Sequence, residues 1–296
     1  MHKPITFLSK GSLCSGVIYK PETQEPSRKL PAIVMAHGLS GVKELALPQI
    51  AERFADAGFV TLVFDYRFFG DSEGEPRNQV FPLEMVEDYR NAITCISDLA
   101  DVDPQRIGIW GTSLSGGLVV YTASFESRVK AVVAQVPALF NPVLRYDRNP
   151  DRWNSDSDML LKDRINRYKT GEVDHIDIVA PPGQPCVLPS EEAFDFFMSG
   201  QESAPNWRNY MTVESLEKMR EFDAVSSASL ISPTAIMFIP AENDGLVSPD
   251  VLNTVYEKLS EPKDLVSLPI THFEIYRDPW LSRAAGLAIE WYRKHL

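Results

Sequence analysis

The chain has 296 residues, of which 44% are hydrophobic and 24% charged, and a formal net charge of −12. This is the composition expected of a soluble globular protein, long enough for one large domain or for a domain with an insertion. So acidic a chain repels phosphate backbones and anionic lipid, which leaves nucleic acid and membrane surfaces as poor partners and a small molecule, or a second copy of the chain, as the open alternatives.

Met1–Gly11 has no apolar run long enough for a signal peptide, and no later stretch reaches the ~18 apolar residues of a membrane span. Cys14, Cys95 and Cys186 lie far apart without C-x-x-C spacing. Together these features predict a reduced, cytoplasmic protein with neither a disulfide framework nor a zinc site.

In chain order, Ile5–Tyr19 lacks helical spacing and fits an antiparallel hairpin at a sheet edge. Short apolar runs bounded by turn residues then predict buried strands at Pro31–Ala36, Phe59–Asp65, Ile107–Trp110, Val129–Val136, Thr234–Ile239 and Leu265–Ile270. Between them, Pro48–Ala57, Leu83–Leu99, Leu114–Ser124, Asp250–Leu259 and Pro279–His295 carry helical spacing. Alternation of this kind predicts an α/β fold: a mostly parallel sheet of eight strands with helices on both faces.

From Ala138 to Ser229 no strand-like run occurs. A structureless segment of that length is improbable in a compact domain, so 138–229 is expected to form a mostly helical inserted lid. Its clearest helices are Phe194–Met198 and Val213–Phe222, and residues 1–137 and 230–296 make up the core domain. Ligands of open α/β sheets bind beyond the carboxyl ends of the strands, where the insertion begins. Phe140, Trp153, Phe197, Met198 and Trp207 are therefore candidate pocket walls, joined by Phe68 from the loop after Asp65.

The segment carrying most chemistry is Gly111-Thr-Ser113-Leu-Ser115-Gly-Gly117, set between a strand and a helix. A nucleophile elbow needs a sharp turn there, with small residues two positions before and after the nucleophile because the backbones crowd. Centring it on Ser113 puts the turn directly after Trp110-Gly111. A register centred on Ser115 also meets the spacing but places the hydroxyl further into the helix.

A serine nucleophile needs a base, and the chain has five histidines. His2 and His295 are at the termini, His37 follows an early strand, and His175 lies in the polar insertion. His272 follows the last predicted strand, the base position in a Ser…Asp…His chain order. The orienting acid should leave the strand ending at Ile239, which points to Asp244, with Glu242 as its competitor. Backbone N–H groups of Leu114 and Leu39 are the expected donors to a developing oxyanion. Arg67 and Lys43 could each pair with Asp65, and Arg67 could instead line the pocket. No phosphate loop, dinucleotide fingerprint or metal-ligand spacing is present, so no cofactor and no metal are expected.

His37-Gly38 with Gly41-Val-Lys43-Glu, Gly70-Asp-Ser-Glu-Gly-Glu-Pro-Arg77, Asp103-Pro-Gln-Arg-Ile-Gly-Ile-Trp-Gly-Thr-Ser113, Pro240–Val247 and Thr271-His-Phe-Glu-Ile-Tyr276 resemble the α/β-hydrolase superfamily. Within it they resemble the dienelactone-hydrolase and X-Pro-dipeptidyl-peptidase-like branch. The elbow carries serine where dienelactone hydrolases proper use cysteine. The resemblance implies a serine hydrolase acting on an ester, lactone or thioester of a small or medium acyl compound, with a role in polyketide or other secondary metabolism. A peptidase or amidase, a carbon–carbon bond hydrolase, and a non-catalytic binding protein on the same scaffold are the alternatives.

Overall fold

The computed structural model describes residues 2–22, 29–247 and 249–296. Strands β1 (His2–Ser9) and β2 (Ser12–Tyr19) form the expected edge hairpin. Its turn, Lys10-Gly11, has φ of 48° and 87°, the left-handed pair that matches strand twist in a two-residue connection. Then follow β3 (Leu30–Ala36), α1 (Leu47–Asp56), β4 (Val60–Phe64), α2 (Pro82–Ser97), β5 (Val102–Thr112), α3 (Leu114–Phe125) and β6 (Val129–Gln135). The inserted region holds α4 (Pro142–Arg148), α5 (Pro150–Thr170), the two-residue strands β7 (His175–Ile176) and β8 (Met211–Thr212), α6 (Glu191–Gly200) and α7 (Val213–Glu221). The chain closes with β9 (Ala235–Ile239), α8 (Pro249–Lys258), β10 (Lys263–Leu265) and α9 (Trp280–His295).

The main sheet has eight strands in the order β1-β2-β4-β3-β5-β6-β9-β10, parallel from β4 to β10. Along β3 the pleat divides a continuous apolar run between two cores. Ala32, Val34 and Ala36 pack with residues of α2 and α3, while Ile33 and Met35 pack with those of α1 and α9. Both faces are thus covered, which is why these strands read as unbroken hydrophobic runs. Helix α3 is buried on nearly every side and shows no polar face. No helix among the described residues is long and apolar enough to cross a membrane.

Order reverses at β3: β4 lies on one side of it and β5 on the other. The loops after β3 and β5 therefore diverge from neighbouring strand ends and leave a crevice between them.

The last strand departs from expectation, since β10 spans Lys263–Leu265 and regular pairing stops where the apolar run Leu265–Ile270 begins. The cause lies across the ladder. Ile236 donates its N–H to Pro262 and Glu242 to Leu268, but Pro240, between them, has no N–H to give. The segment still follows the sheet edge through Val266 to Phe238, Leu268 to Pro240 and an isolated bridge between Ala241 and Leu268. His272 is thereby carried to the same rim as the other strand ends.

Candidate active site

Gly111 and Ser113 make the turn between β5 and α3. Ser113 has φ 56° and ψ −120°, a conformation that costs a non-glycine residue on the order of 1–3 kcal/mol. Its surroundings hold it there: its N–H donates to Gln135 O (3.0 Å), and its carbonyl accepts from Ala138 N (2.8 Å). A side chain at Gly111 would come within 2.2 Å of Ser115 O, and one at Gly38 would press on Ser113 Cβ at 3.1 Å. The two glycines let β5 turn sharply and let the loop after β3 run directly beside the serine.

Ser113 Oγ lies 3.1 Å from His272 Nε2, and His272 Nδ1 lies 2.7 Å from Asp244 Oδ2. The other Asp244 oxygen accepts the N–H groups of Leu246 (2.8 Å) and Val247 (2.9 Å). Burial alone would raise the Asp244 carboxyl, but the hydrogen bond and charge of His272 and these two amides outweigh it and hold it below the usual carboxylate range. Asp244 is thus kept as an anion against the ring, and its competitor Glu242 is exposed. Ser115 is fully buried beneath the turn, its Oγ 2.9 Å from the Tyr66 hydroxyl and 2.6 Å from that of Tyr89. Of the two serines only Ser113 lines the cavity and meets a histidine.

The remaining histidines lie apart from this relay. His175 is exposed and edge-on to Tyr210, and His295 lies tilted against Trp291 at the end of α9. His37 is buried at the loop after β3, with Nδ1 2.9 Å from Gly38 O, and burial pushes it down to about 4. It is a neutral prop for that loop. Leu39 and Leu114 line the same cavity as Ser113, and neither backbone N–H donates to a protein acceptor among the described residues. Leu114 is the first residue of α3, where the helix leaves its amides unpaired.

Ser113 and His272 open into a cavity of about 810 Å³, between the strand-end loops and α4–α7 of the inserted region. Phe140 and Phe197 form walls as expected, whereas Phe68, Trp153, Met198 and Trp207 do not. Phe68 folds onto Gly74 in its own loop, where an added Cβ would meet its ring at 2.5 Å. Met198 follows Phe197 on α6 and points outward, 41% exposed. Trp207 lies behind the wall, stacked on Phe197 at 5.2 Å, and donates its indole N–H to Ser40 O (2.9 Å), bracing the Leu39 loop. Trp153 supports the Arg220 guanidinium, 3.4 Å over its ring.

Several cavity residues carried no signal in the sequence reading. Phe196, Phe273 and Tyr276 form an aromatic group around the histidine loop. Glu192 of α6 accepts from Thr271 Oγ1 and from the Phe273 N–H (3.2 Å), tying the insertion to the residues on either side of His272. Arg145, Arg148, Arg152 and Arg220 also reach the cavity.

Arg67 neither lines the pocket nor meets Asp65. It is buried against Asp88 (2.6 Å) and Glu84 (2.7 Å). Lys43 is the Asp65 partner, at 2.8 Å, and its ammonium also reaches Asp71 and Glu44. That trio is the one convergent acidic cluster among the described residues, and an ammonium already stands among its oxygens.

A hydroxyl paired with a carboxylate-oriented imidazole can lose its proton as it attacks a carbonyl. Comparison with known proteins gives the family. Residues 31–169 match the family model for the alpha/beta hydrolase fold. Quorum-quenching protein AidA of Acinetobacter baumannii is 31% identical over 92% of this chain and 88% of its own length. Thiohydrolase aneE of Aspergillus aculeatus is 32% identical over 79% of this chain and 75% of its own. The structure of DcsB with a substrate analogue superposes over the whole of both chains with a TM-score of 0.86 at 24% identity, a likeness of fold. By fold, by sequence match and by these relatives, the chain belongs to the α/β-hydrolase family and is a hydrolase.

Proposed function

We propose that the protein cleaves an ester or thioester of a small or medium acyl compound through an acyl-enzyme on Ser113. The observation that carries this reading is the unbroken relay Ser113–His272–Asp244, whose serine and histidine line a cavity of about 810 Å³. That volume suits a ligand of drug-like size, and walls such as Phe140, Phe196, Phe197 and Leu160 suit an apolar acyl chain.

In this mechanism His272 Nε2 takes the Ser113 proton as Oγ attacks the carbonyl carbon. Asp244 keeps the proton of the ring on Nδ1 and stabilises the imidazolium. The tetrahedral oxyanion rests on the Leu39 and Leu114 amides. Its collapse, with the His272 proton passing to the departing alcohol or thiol, leaves the acyl group on Ser113. Water, deprotonated by His272, then releases the acid. A thiolate leaves more readily than an alkoxide, and the aneE relative is named a thiohydrolase. Both favour a thioester as substrate. The test is kcat/KM on a matched thioester, ester and amide of one medium-chain acid. The reading expects the thioester and ester to turn over and the amide to lag well behind. Turnover of the amide alone would contradict it.

A further inference from the structure

The catalytic cavity is lined by arginines as well as by apolar side chains. Arg145 from the last turn of α4, Arg152 from the first turn of α5 and Arg220 from the last turn of α7 all reach it, in a chain whose net charge is −12. A carboxylate lining the same cavity is Asp156, 3.8 Å from Arg145. The Arg152 guanidinium makes no ion pair among the described residues. Arg220 gives one of its nitrogens to Ser157 Oγ (2.6 Å) and its face to Trp153, which leaves further N–H donors on the guanidinium.

The same helices balance their charges elsewhere. Away from the cavity, Arg164 and Arg167 of α5 meet Glu217 and Glu214 of α7, and Arg167 also meets Asp163. Arginine is therefore paired where α5 and α7 pack on each other and under-paired where they face the cavity. The electrostatics agree. Partial desolvation, foremost, and the neighbouring charges of Arg152 and Arg220 push Arg145, whose side chain is 46% exposed, below its usual range against the opposing charge of Asp156. Arg220 is lowered for the same first reason. Guanidinium stays protonated regardless, so the cluster holds positive charge that a bound anion would relieve.

We propose that the substrate carries an oxyanion group, a carboxylate or a phosphate, which Arg145, Arg152 and Arg220 hold while its carbonyl lies against Ser113. Planar guanidinium groups suit both anions through paired N–H donors. The group belongs either to the acyl part, as a distal carboxylate, or to the leaving group, as a phosphate on the departing alcohol or thiol. This inference rests on Ser113 being the nucleophile.

Three alkyl fluorophosphonates of equal length test both together, ending in a carboxylate, a phosphate monoester or a carboxamide. Each phosphonylates the serine with loss of fluoride, so no substrate need be known. The expected result is that at least one anionic probe labels about tenfold faster than the carboxamide, as one charged hydrogen-bonding partner commonly achieves. In an Arg145→Gln/Arg152→Gln protein, with folding checked by thermal melting, that ratio should fall to near one. A carboxylate preference assigns the anion to the acyl part, and a phosphate preference to the leaving group. Equal rates for all three probes, or a preference that survives in the double variant, would overturn the inference with the Ser113 reading intact. Absence of labelling by every probe would remove the Ser113 reading, and the inference with it.

Discussion

Ser115 Oγ lies 2.6 Å from the Tyr89 hydroxyl, under the turn whose upper side presents Ser113 to His272. Two serines two residues apart are thus assigned to opposite sides of one bend. Ser113→Ala should abolish hydrolysis, while Ser115→Ala should keep at least a tenth of kcat and lose about 1–3 kcal/mol of stability as the Tyr66 and Tyr89 hydroxyls lose a partner. Kinetics and denaturant unfolding of both variants check this. Equal loss of kcat in the two would contradict it.

Asp244→Asn should lower kcat by about 10³–10⁴-fold, because an amide cannot hold the ring tautomer or stabilise the imidazolium. Combined with Ser113→Ala it should add almost nothing, since the relay acts as a unit. Additive losses in the double variant would show that Asp244 acts elsewhere.

Glu192 joins helix α6 to Thr271 and Phe273 on either side of His272. Glu192→Ala should cost about 10- to 100-fold in kcat, the scale of a small misplacement of a catalytic group. Glu192→Gln retains an acceptor oxygen and should recover part of it. If both variants match the wild type, the insertion does not position the histidine loop.

His37 is buried and neutral, with its ionisation pushed down to about 4 from the ordinary 6.5. The unfolded chain binds this proton more readily, so the stability it confers is complete above pH 6.5 and lost as pH falls towards 4. The full difference corresponds to ~3 kcal/mol. His37→Asn, which keeps an N–H for Gly38 O, should weaken this acid sensitivity. Unfolding free energies of both proteins at pH 7 and pH 4.5 decide the matter, and identical pH dependence would refute it.

Much of the fold was legible because the strands are buried on both faces and punctuated by turns: Ala235–Ile239 and Val129–Gln135 stand within a residue of their predicted limits. The elbow was legible because Gly111 and Ser115 reflect steric demands of one turn. Helices α4 and α5 were not singled out, since α5 buries only Leu160 and Asp163 and shows little apolar periodicity. Their ends were nonetheless written in the chain. Asn141-Pro142 and Asn149-Pro150 each place a capping side chain before a proline, and Gly171 closes α5 at φ 75°. Pocket walls were the least legible part, because an aromatic residue in the insertion can face the cavity, as Phe197 does, or brace it from behind, as Trp207 does. That choice is made by packing between segments far apart in sequence.

The central claim is an acyl group carried on Ser113. It is tested most directly by mixing the protein with a medium-chain acyl thioester of N-acetylcysteamine, quenching in acid within the first turnover, and mapping the adduct by peptide mass spectrometry. The account predicts an acyl mass increment on Ser113, absent from Ser113→Ala and enriched when His272→Ala slows deacylation more than acylation. Thioester consumed with no adduct on this serine, or an adduct on Ser115 or Cys186 instead, would contradict it.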